Sequence, residues 1–254
     1  IAQTGTGKTA AFALPSLASL DFDSATPPIL VLCPTRELSM QLAEAFRSYA
    51  KRSKGCKVVA LCGGNDMRQQ LRQLKDGVHI IVATPGRLLD HLNRRTADFS
   101  KIKTVVLDEA DEMLRMGFID DVDKILSQTP TGRRVALFSA TMPQRIREIA
   151  SEHLQAPVEV SITSQATTNT NIEQCYWLVK GTNKLDALGR FLSVEDTQGV
   201  IVFVRTREST SAIAEQLRQR GFSVAPLNGD IDQKTRIKTV EQLKDGRLDV
   251  IVAT

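Results

Sequence analysis

Residues 2–9 read A-Q-T-G-T-G-K-T, a string suited to holding a polyphosphate. Gly5 and Gly7 let backbone N–H groups close around phosphate oxygens. Lys8 can reach the β- and γ-phosphates, and the Thr9 hydroxyl can ligate Mg²⁺. The apolar stretch over residues 8–19 predicts a helix whose N-terminus faces the anion. Ala2 stands where the usual phosphate-loop string has Gly, and the strand expected to feed the loop does not precede Ile1. A flexible Gly/Thr loop is the plainer alternative, and Gly-Lys-Thr opening a helix argues against it. On this reading Ala2, Gln3, Thr4, Gly5, Thr6, Gly7, Lys8 and Thr9 cradle the nucleotide.

A second group supplies acids. Thr104–Leu107 predicts an apolar strand, and it ends in Asp108-Glu109-Ala110-Asp111. In open α/β sheets the ligand sits beyond the carboxyl ends of the strands. Adjacent acids at that edge, downstream of a phosphate loop, suit ATP hydrolysis. Asp108 would share Mg²⁺ with Thr9, and Glu109 would orient or deprotonate the attacking water. Alternatively Asp108 caps the next helix and the other acids are solvated. Ser139-Ala140-Thr141 follows another apolar strand, so its hydroxyls should lie along the same edge as Asp111. They could relay nucleotide state, or simply cap a helix.

These residues need a scaffold. Short Val/Ile/Leu runs at Ile29–Cys33, Val58–Leu61, Ile80–Val82, Thr104–Leu107 and Arg134–Phe138 show little alternation. That predicts strands buried on both faces of a mostly parallel sheet. Glu37–Lys51 and Met67–Leu74 carry helix-spaced apolar residues between them. The fold class is α/β, with doubly wound parallel sheets. The polar stretch 161–173 breaks the rhythm, with residues 163–172 as linker between domains 1–162 and 173–254. The second half predicts strands at Tyr176–Val179, Val200–Val204, Ser223–Leu227 and Val250–Ala253, with helices near 183–193, 208–219 and 233–244. It reads as a duplicated architecture without a sequence repeat.

Composition narrows the classes. The 254 residues carry a formal charge of +4, a mild lean toward anionic partners. Cys33, Cys56, Cys62 and Cys175 form no CxxC pair and suggest buried free thiols in a reducing compartment. His79, His91 and His153 are scattered and read as structural or surface residues. No run is long enough for a membrane span, which leaves a cytoplasmic protein as the expectation.

The ordered set of strings resembles the DEAD-box family of ATP-dependent RNA helicases. The strings are D-E-A-D at 108–111, P-T-R-E-L at 34–38, Gly63-Gly64, T-P-G-R at 84–87, S-A-T at 139–141, V-F-V-R-T at 202–206 and L-N-G-D at 227–230, with Gln233 and Arg236. The wording L-D-E-A-D-E-M-L-R-M-G-F is most similar to the bacterial cold-shock DeaD (CsdA) branch. The resemblance covers essentially the whole chain and implies two RecA-like domains. It implies that the first lacks its N-terminal part and the second its C-terminal part.

It also implies RNA contacts, in sheet-edge loops, from Pro34, Thr35, Arg36, Gly63, Gly64, Thr84, Pro85, Gly86 and Arg87. In the second half they would come from Arg205, Thr206, Gly229, Gln233, Arg236 and Thr254. Arg36 ranks below Thr35, because its family neighbours suggest a structural ion pair. The basic stretch Arg47, Lys51, Arg52 and Lys54 reads as a solvated helix face. Such sugar-phosphate contacts would tolerate any sequence, and contacts to 2′-hydroxyls would favour RNA over DNA. Asp111, Ser139 and Thr141 would couple the sites, with ATP and Mg²⁺ as cofactors. The implied mechanism closes two domains on ATP and RNA, bends one strand, and uses hydrolysis to reopen. Family membership further implies ribosome-assembly or RNA-degradation partners.

The resemblance also exposes missing parts: an adenine-reading segment upstream and an arginine finger downstream. Residues 1–254 alone are therefore expected to show little RNA-stimulated ATPase activity. An RNA-binding fragment without catalysis, or another two-domain P-loop ATPase acting on nucleic acid, are the alternatives. RNA- against DNA-stimulated turnover separates the helicase from the last of these.

Overall fold

The computed structural model describes residues 1–3, 5–21, 26–53, 55–162, 172–181, 183–195 and 198–254. The chain divides into two compact units, 1–168 and 169–254. The predicted linker lies outside the described residues, apart from Ile172.

The first unit runs α1 (Lys8–Ala18), β1 (Ile29–Leu32), α2 (Arg36–Tyr49), β2 (Val58–Leu61), α3 (Met67–Lys75), β3 (Ile80–Ala83) and α4 (Pro85–Asn93). It continues through β4 (Thr104–Leu107), α5 (Ala110–Arg115), α6 (Ile119–Ser127), β5 (Arg134–Leu137) and α7 (Gln144–His153). Its five strands lie in the order β2-β3-β1-β4-β5, and every pairing is parallel. The apolar runs alternate between two cores, because successive strand side chains point to opposite faces. Ile29, Val31, Ile80, Val82 and Val106 pack with Phe12 of α1 and Leu42 and Phe46 of α2. Leu30, Leu32, Leu61, Ile81, Val105 and Leu107 pack with Leu88, Met113, Val122, Ile125 and Ile146 from α4 to α7. Burying each such side chain is worth about 1.5–3 kcal/mol.

Register positions the chemistry. Leu32 pairs with both Ala83 and Leu107, Leu61 with Ala83, and Leu107 with Leu137. All five strands therefore end level. The chain leaves that one edge at Cys33, Cys62, Thr84, Asp108 and Phe138. The order also reverses direction at β1 and β4, the crevice where such sheets bind ligands.

The second unit contains α8 (Lys184–Val194), β6 (Val200–Phe203), α9 (Arg207–Gln219), β7 (Val224–Leu227), α10 (Gln233–Lys244) and β8 (Val250–Ala253). Its parallel sheet has the order β6-β8-β7. Val200, Val202, Val224, Val250 and Val252 form a core with Leu192, Ala214 and Leu217. Ile201 and Phe203, on the alternate face, are exposed.

Three expectations need correction. Tyr176–Val179 is not a strand, since residues 172–180 have no regular structure and Tyr176, Trp177 and Leu178 are exposed. Strand propensity acts only through pairing, and among the described residues no strand pairs with this segment. The thiols also differ. Cys33 and Cys62 are buried, Cys56 is half-buried, and Cys175 lies exposed in the unpaired segment.

Finally, the two units do share a short sequence repeat, which only topology makes visible. The order β1-β3-β2 in the first unit corresponds to β6-β8-β7 in the second. At matching places T-R-E recurs at 35–37 and 206–208, and I-V-A-T at 81–84 and 251–254. Thr35 and Thr206 adopt nearly the same backbone, φ −122° and −125°, and each accepts a hydrogen bond from the amide three residues on.

Candidate functional site

The phosphate-loop string is pinned to the end of β5, because Ala2 N donates to the Ser139 carbonyl at 3.0 Å. Gly5 and Gly7 have φ of 84° and 86°, a region that only glycine enters without strain. Gly7 is the N-cap of α1, which has neither a side-chain cap nor an acid in its first turn. Its leading amides are thus available to an anion, as the helix dipole favours. Lys8 Nζ donates to the Ala2 carbonyl at 2.9 Å, so the ammonium lies across the loop it would serve. The Thr6 hydroxyl donates to the Gln3 carbonyl at 2.7 Å. Thr4 lies outside the described residues.

Asp108 leaves β4 almost fully buried, at 3 % exposure. Burial pushes its carboxyl up to about 6, against the attraction of Lys8, which lowers it. The adjacent Glu109 charge raises it further, and the Glu109 amide donates to Asp108 Oδ1 at 3.1 Å. A buried acid that faces a lysine and, among the described residues, accepts from a single amide is well suited to a divalent cation. Thr9 stands in the first turn of α1 beside Lys8 and could share that ion.

Glu109 adopts φ 53°, ψ 50°, a left-handed conformation unusual for a residue with a Cβ. It occupies the N-cap position of α5 without capping it through its side chain. The N-cap is thus Glu109 and not Asp108, and Asp111 is buried, so the alternative in which Asp108 caps the helix and the other acids are solvated does not hold. Its backbone is held by Ala110 N donating to Phe138 O, and by Glu112 N and Met113 N donating to Glu109 O. A strained backbone kept by this many contacts marks a side chain whose direction matters.

Asp111 joins the acids to the end of β5. Its Oδ2 accepts from Thr141 N at 3.0 Å and from the Thr141 hydroxyl at 2.8 Å. Its own amide donates to Ser139 Oγ at 3.1 Å, and the Ser139 hydroxyl donates to the Thr141 carbonyl at 2.6 Å. Burial would raise the Asp111 carboxyl, but the hydrogen bonds from Thr141 and Ser139 hold it below its ordinary value. The three form one closed ring of contacts between β4 and β5.

The other half of the edge carries the P-T-R-E-L, Gly-Gly and T-P-G-R strings, and it corrects their placement in loops. Thr35 caps α2, so Arg36 and Glu37 form its first turn. Thr84 is the N-cap of α4 and Pro85 its first residue, so Pro85, Gly86 and Arg87 are helical. Proline fits there because its fixed φ matches and no N–H is lost. Of these three segments, Gly63-Gly64 alone is a turn. A Cβ at Gly64 would collide with the Arg36 guanidinium, and one at Gly63 would sit 3.1 Å from Arg36 Nη2. Arg36 thus underlies the turn.

In the second unit Arg205 and Thr206 precede α9, and Gln233 and Arg236 lie in the first turn of α10. Gly229 follows β7, where Arg207 pairs with Asp230 at 2.7 Å. Thr254 N donates to the Leu227 carbonyl at 3.4 Å.

Three interacting residues were not singled out from sequence: Asn65, Gln70 and Arg207. Gln70 had a signal, since it stands on the Met67, Leu71, Leu74 stripe of α3 where an apolar residue is expected. His79 and His91 are buried and His153 is half-buried. His153 Nε2 lies 2.7 Å from Asp123, with Arg133 Nη2 3.3 Å from its other nitrogen. Their grouping with Glu152 has metal-like spacing, but the guanidinium opposes a cation there.

The DEAD/DEAH box helicase family model matches residues 1–149. The chain belongs to this family. The helicase conserved C-terminal domain matches residues 183–254. Over all 254 residues the chain is 54 % identical to the ATP-dependent RNA helicase DeaD of Escherichia coli K12, covering 40 % of that protein. It is 50 % identical to the DeaD of Mycobacterium tuberculosis, covering 45 % of it. These identities support the DeaD branch of the DEAD-box family, and the chain spans less than half the length of those relatives.

Among solved structures, yeast Dbp5 bound to RNA and ADP BeF3 matches with TM-score 0.85 at 29 % identity, over the whole chain and 64 % of Dbp5. A DEAD box protein from Methanococcus jannaschii matches with TM-score 0.61 at 38 % identity, over the whole chain and 68 % of that protein. The fold is therefore that of two RecA-like α/β units. Among the described residues no helix is long and apolar enough to cross a membrane.

Proposed function

We propose that this DEAD-box chain is the core of an RNA helicase that hydrolyses ATP and remodels short stretches of RNA duplex. The observation that carries the reading is the level sheet edge. It carries the phosphate-loop string, Asp108 and Glu109 beside β4 and β5, and the P-T-R-E-L, Gly-Gly and T-P-G-R strings beside β1, β2 and β3.

At the first half, the Gly5–Gly7 amides and the α1 N-terminus take the phosphates, with Lys8 bridging β and γ. Asp108 and Thr9 would hold Mg²⁺, which would neutralise charge on the transferring phosphoryl group. Glu109 accepts the proton of the attacking water or aligns it. At the second half, Thr35, Gly63, Gly64, Thr84 and Arg87 contact the sugar-phosphate backbone. Helix N-termini and a glycine turn suit phosphate oxygens and carry no base identity. Thr206, Gly229, Gln233, Arg236 and Thr254 do the equivalent work in the second unit, a reading the T-R-E and I-V-A-T repeat supports. The DeaD relatives' name and the RNA in the Dbp5 structure support RNA as the class of partner.

The deciding experiment measures ATP turnover of the full-length protein with single-stranded RNA, single-stranded DNA or no nucleic acid. Stimulation by RNA of unrelated sequences, and little by DNA, is expected. Equal stimulation by DNA would replace the reading with a general nucleic-acid ATPase.

The Asp111–Ser139–Thr141 ring meets the phosphate-loop string through the Ser139 carbonyl, which accepts from Ala2 N, and spends its carboxylate and hydroxyls on one another, so it couples rather than catalyses. Ser139→Ala with Thr141→Ala should reduce duplex separation by roughly tenfold while ATP hydrolysis changes far less. Strand displacement and ATPase assays on the same preparation measure both. Parallel loss of the two activities would reject the coupling role.

A further inference from the structure

Between the glycine turn and the T-P-G-R helix lies a buried polar network around Gln70, whose residue is only 2 % exposed. Its Nε2 donates to the Cys62 carbonyl at 3.0 Å, directly before the Gly63-Gly64 turn. Its Oε1 accepts from Arg87 Nη1 at 3.0 Å. His91 Nε2 lies 3.1 Å from the same oxygen. Arg87 Nη1 also reaches the Asn65 carbonyl at 3.3 Å, on the far side of the turn.

The proton arrangement follows from these contacts. The Cys62 carbonyl can only accept, so it fixes which end of the Gln70 amide is nitrogen. Gln70 Oε1 then faces both Arg87 and His91, so the His91 proton must sit on Nε2. The Thr96 hydroxyl lies between His91 Nδ1, 2.9 Å away, and the His91 carbonyl, 3.0 Å away. Burial, followed by the nearby Arg87 charge, lowers the His91 pKa and keeps the ring neutral. A neutral histidine and a backbone carbonyl thus lock a glutamine whose oxygen is aimed at one guanidinium nitrogen.

We propose that Gln70 is a positioning residue that fixes the Arg87 guanidinium for the RNA backbone. It acts from beneath, through the Cys62 carbonyl and His91, without touching RNA. An arginine held at one nitrogen loses little further freedom when another nitrogen meets a phosphate. An arginine free to rotate would lose that freedom on binding. The inference rests on the RNA reading of the T-P-G-R helix.

A double-mutant cycle in the full-length protein tests it. Gln70→Met keeps the volume and removes both hydrogen-bonding ends. Affinity for a fluorescent single-stranded RNA is measured with a non-hydrolysable ATP analogue, and KM for RNA and kcat are measured by ATPase assay. Arg87→Ala should weaken RNA binding by roughly tenfold. Gln70→Met should weaken it by about fivefold and raise KM for RNA, with kcat at saturating RNA nearly unchanged. The double variant should bind within about twofold of Arg87→Ala alone, because the second change has nothing left to disturb. Nucleotide affinity without RNA should stay normal in all three.

Unchanged RNA affinity in Gln70→Met, or penalties that multiply in full, would overturn the proposal. Unchanged affinity in Arg87→Ala would instead overturn the RNA reading of this helix. If Gln70→Met does not fold, Gln70→Ala leaves room for a water at the Cys62 carbonyl and takes its place in the same cycle with the same expected coupling.

Discussion

Glu109→Gln in the full-length protein is expected to leave nucleotide binding near normal and to cut ATP turnover by about 10²-fold or more. The substitution keeps size and shape, so the left-handed backbone at φ 53°, the bonds its carbonyl accepts from Glu112 N and Met113 N, and the neighbouring bond from Ala110 N to the Phe138 carbonyl are preserved. What it removes is the carboxylate that accepts or aligns a proton of water. Lys8→Ala should show the opposite division, with weaker nucleotide binding, because an ammonium lying across the phosphate loop contacts ground-state phosphates. Nucleotide titration and steady-state turnover of both variants separate these effects. Normal turnover by Glu109→Gln would remove that residue from the catalytic role. Equal losses of binding in both variants would show that Glu109 instead shapes the phosphate loop.

The phosphate-loop and acid half of the edge could be grouped from the sequence because it is built from short contiguous strings. Lys8 belongs with Gly5 and Gly7 within one loop, and Asp108 with Glu109 and Asp111 within four residues. The strands of the first unit were equally legible, since an apolar run such as Ile29–Leu32 has few uses other than a strand buried on both faces. Tyr176–Val179 looks much the same by type, yet forms no ladder, because pairing depends on partners far along the chain. The T-P-G-R segment was misplaced for a local reason, as Pro85 can end one element or begin another. Gln70 is conspicuous as a polar residue on an apolar stripe, but its partners cannot be read from the sequence. Cys62, Arg87 and His91 come from other elements, and nothing in residues 67–75 names them. The T-R-E and I-V-A-T repeat was hidden for a similar reason. Each string is too short to be noticed until β1 and β6 are seen at equivalent places in their sheets.

Asp108→Asn should stabilise the protein while disabling it. The Asp108 carboxyl has a folded value of about 6 against an ordinary 3.8, chiefly because it is buried. The folded state therefore binds more protons than the unfolded chain between those two values. The stability this confers is fully present below about pH 4 and is lost as the pH rises through about 6. At neutral pH the protein carries a buried negative charge that Lys8 and the Glu109 amide offset only in part. An amide at this position stays neutral and can still accept from the Glu109 amide. Without nucleotide or Mg²⁺, Asp108→Asn should thus be more stable by about 1–3 kcal/mol at pH 7.5, with the difference vanishing toward pH 4. Mg²⁺-dependent ATP turnover should fall by ~10²-fold or more, since the amide cannot offer the cation a charge. In the unsubstituted protein the same titration predicts that Mg²⁺ binds less well as the pH falls through about 6. Denaturant unfolding across this pH range, with turnover measured in parallel, tests both halves. A variant less stable than the original at pH 7.5 would mean that Asp108 is held by contacts stronger than its cost of burial. Turnover that survives would place the cation elsewhere. The expected combination is a charge kept where it weakens the fold because the chemistry needs it there.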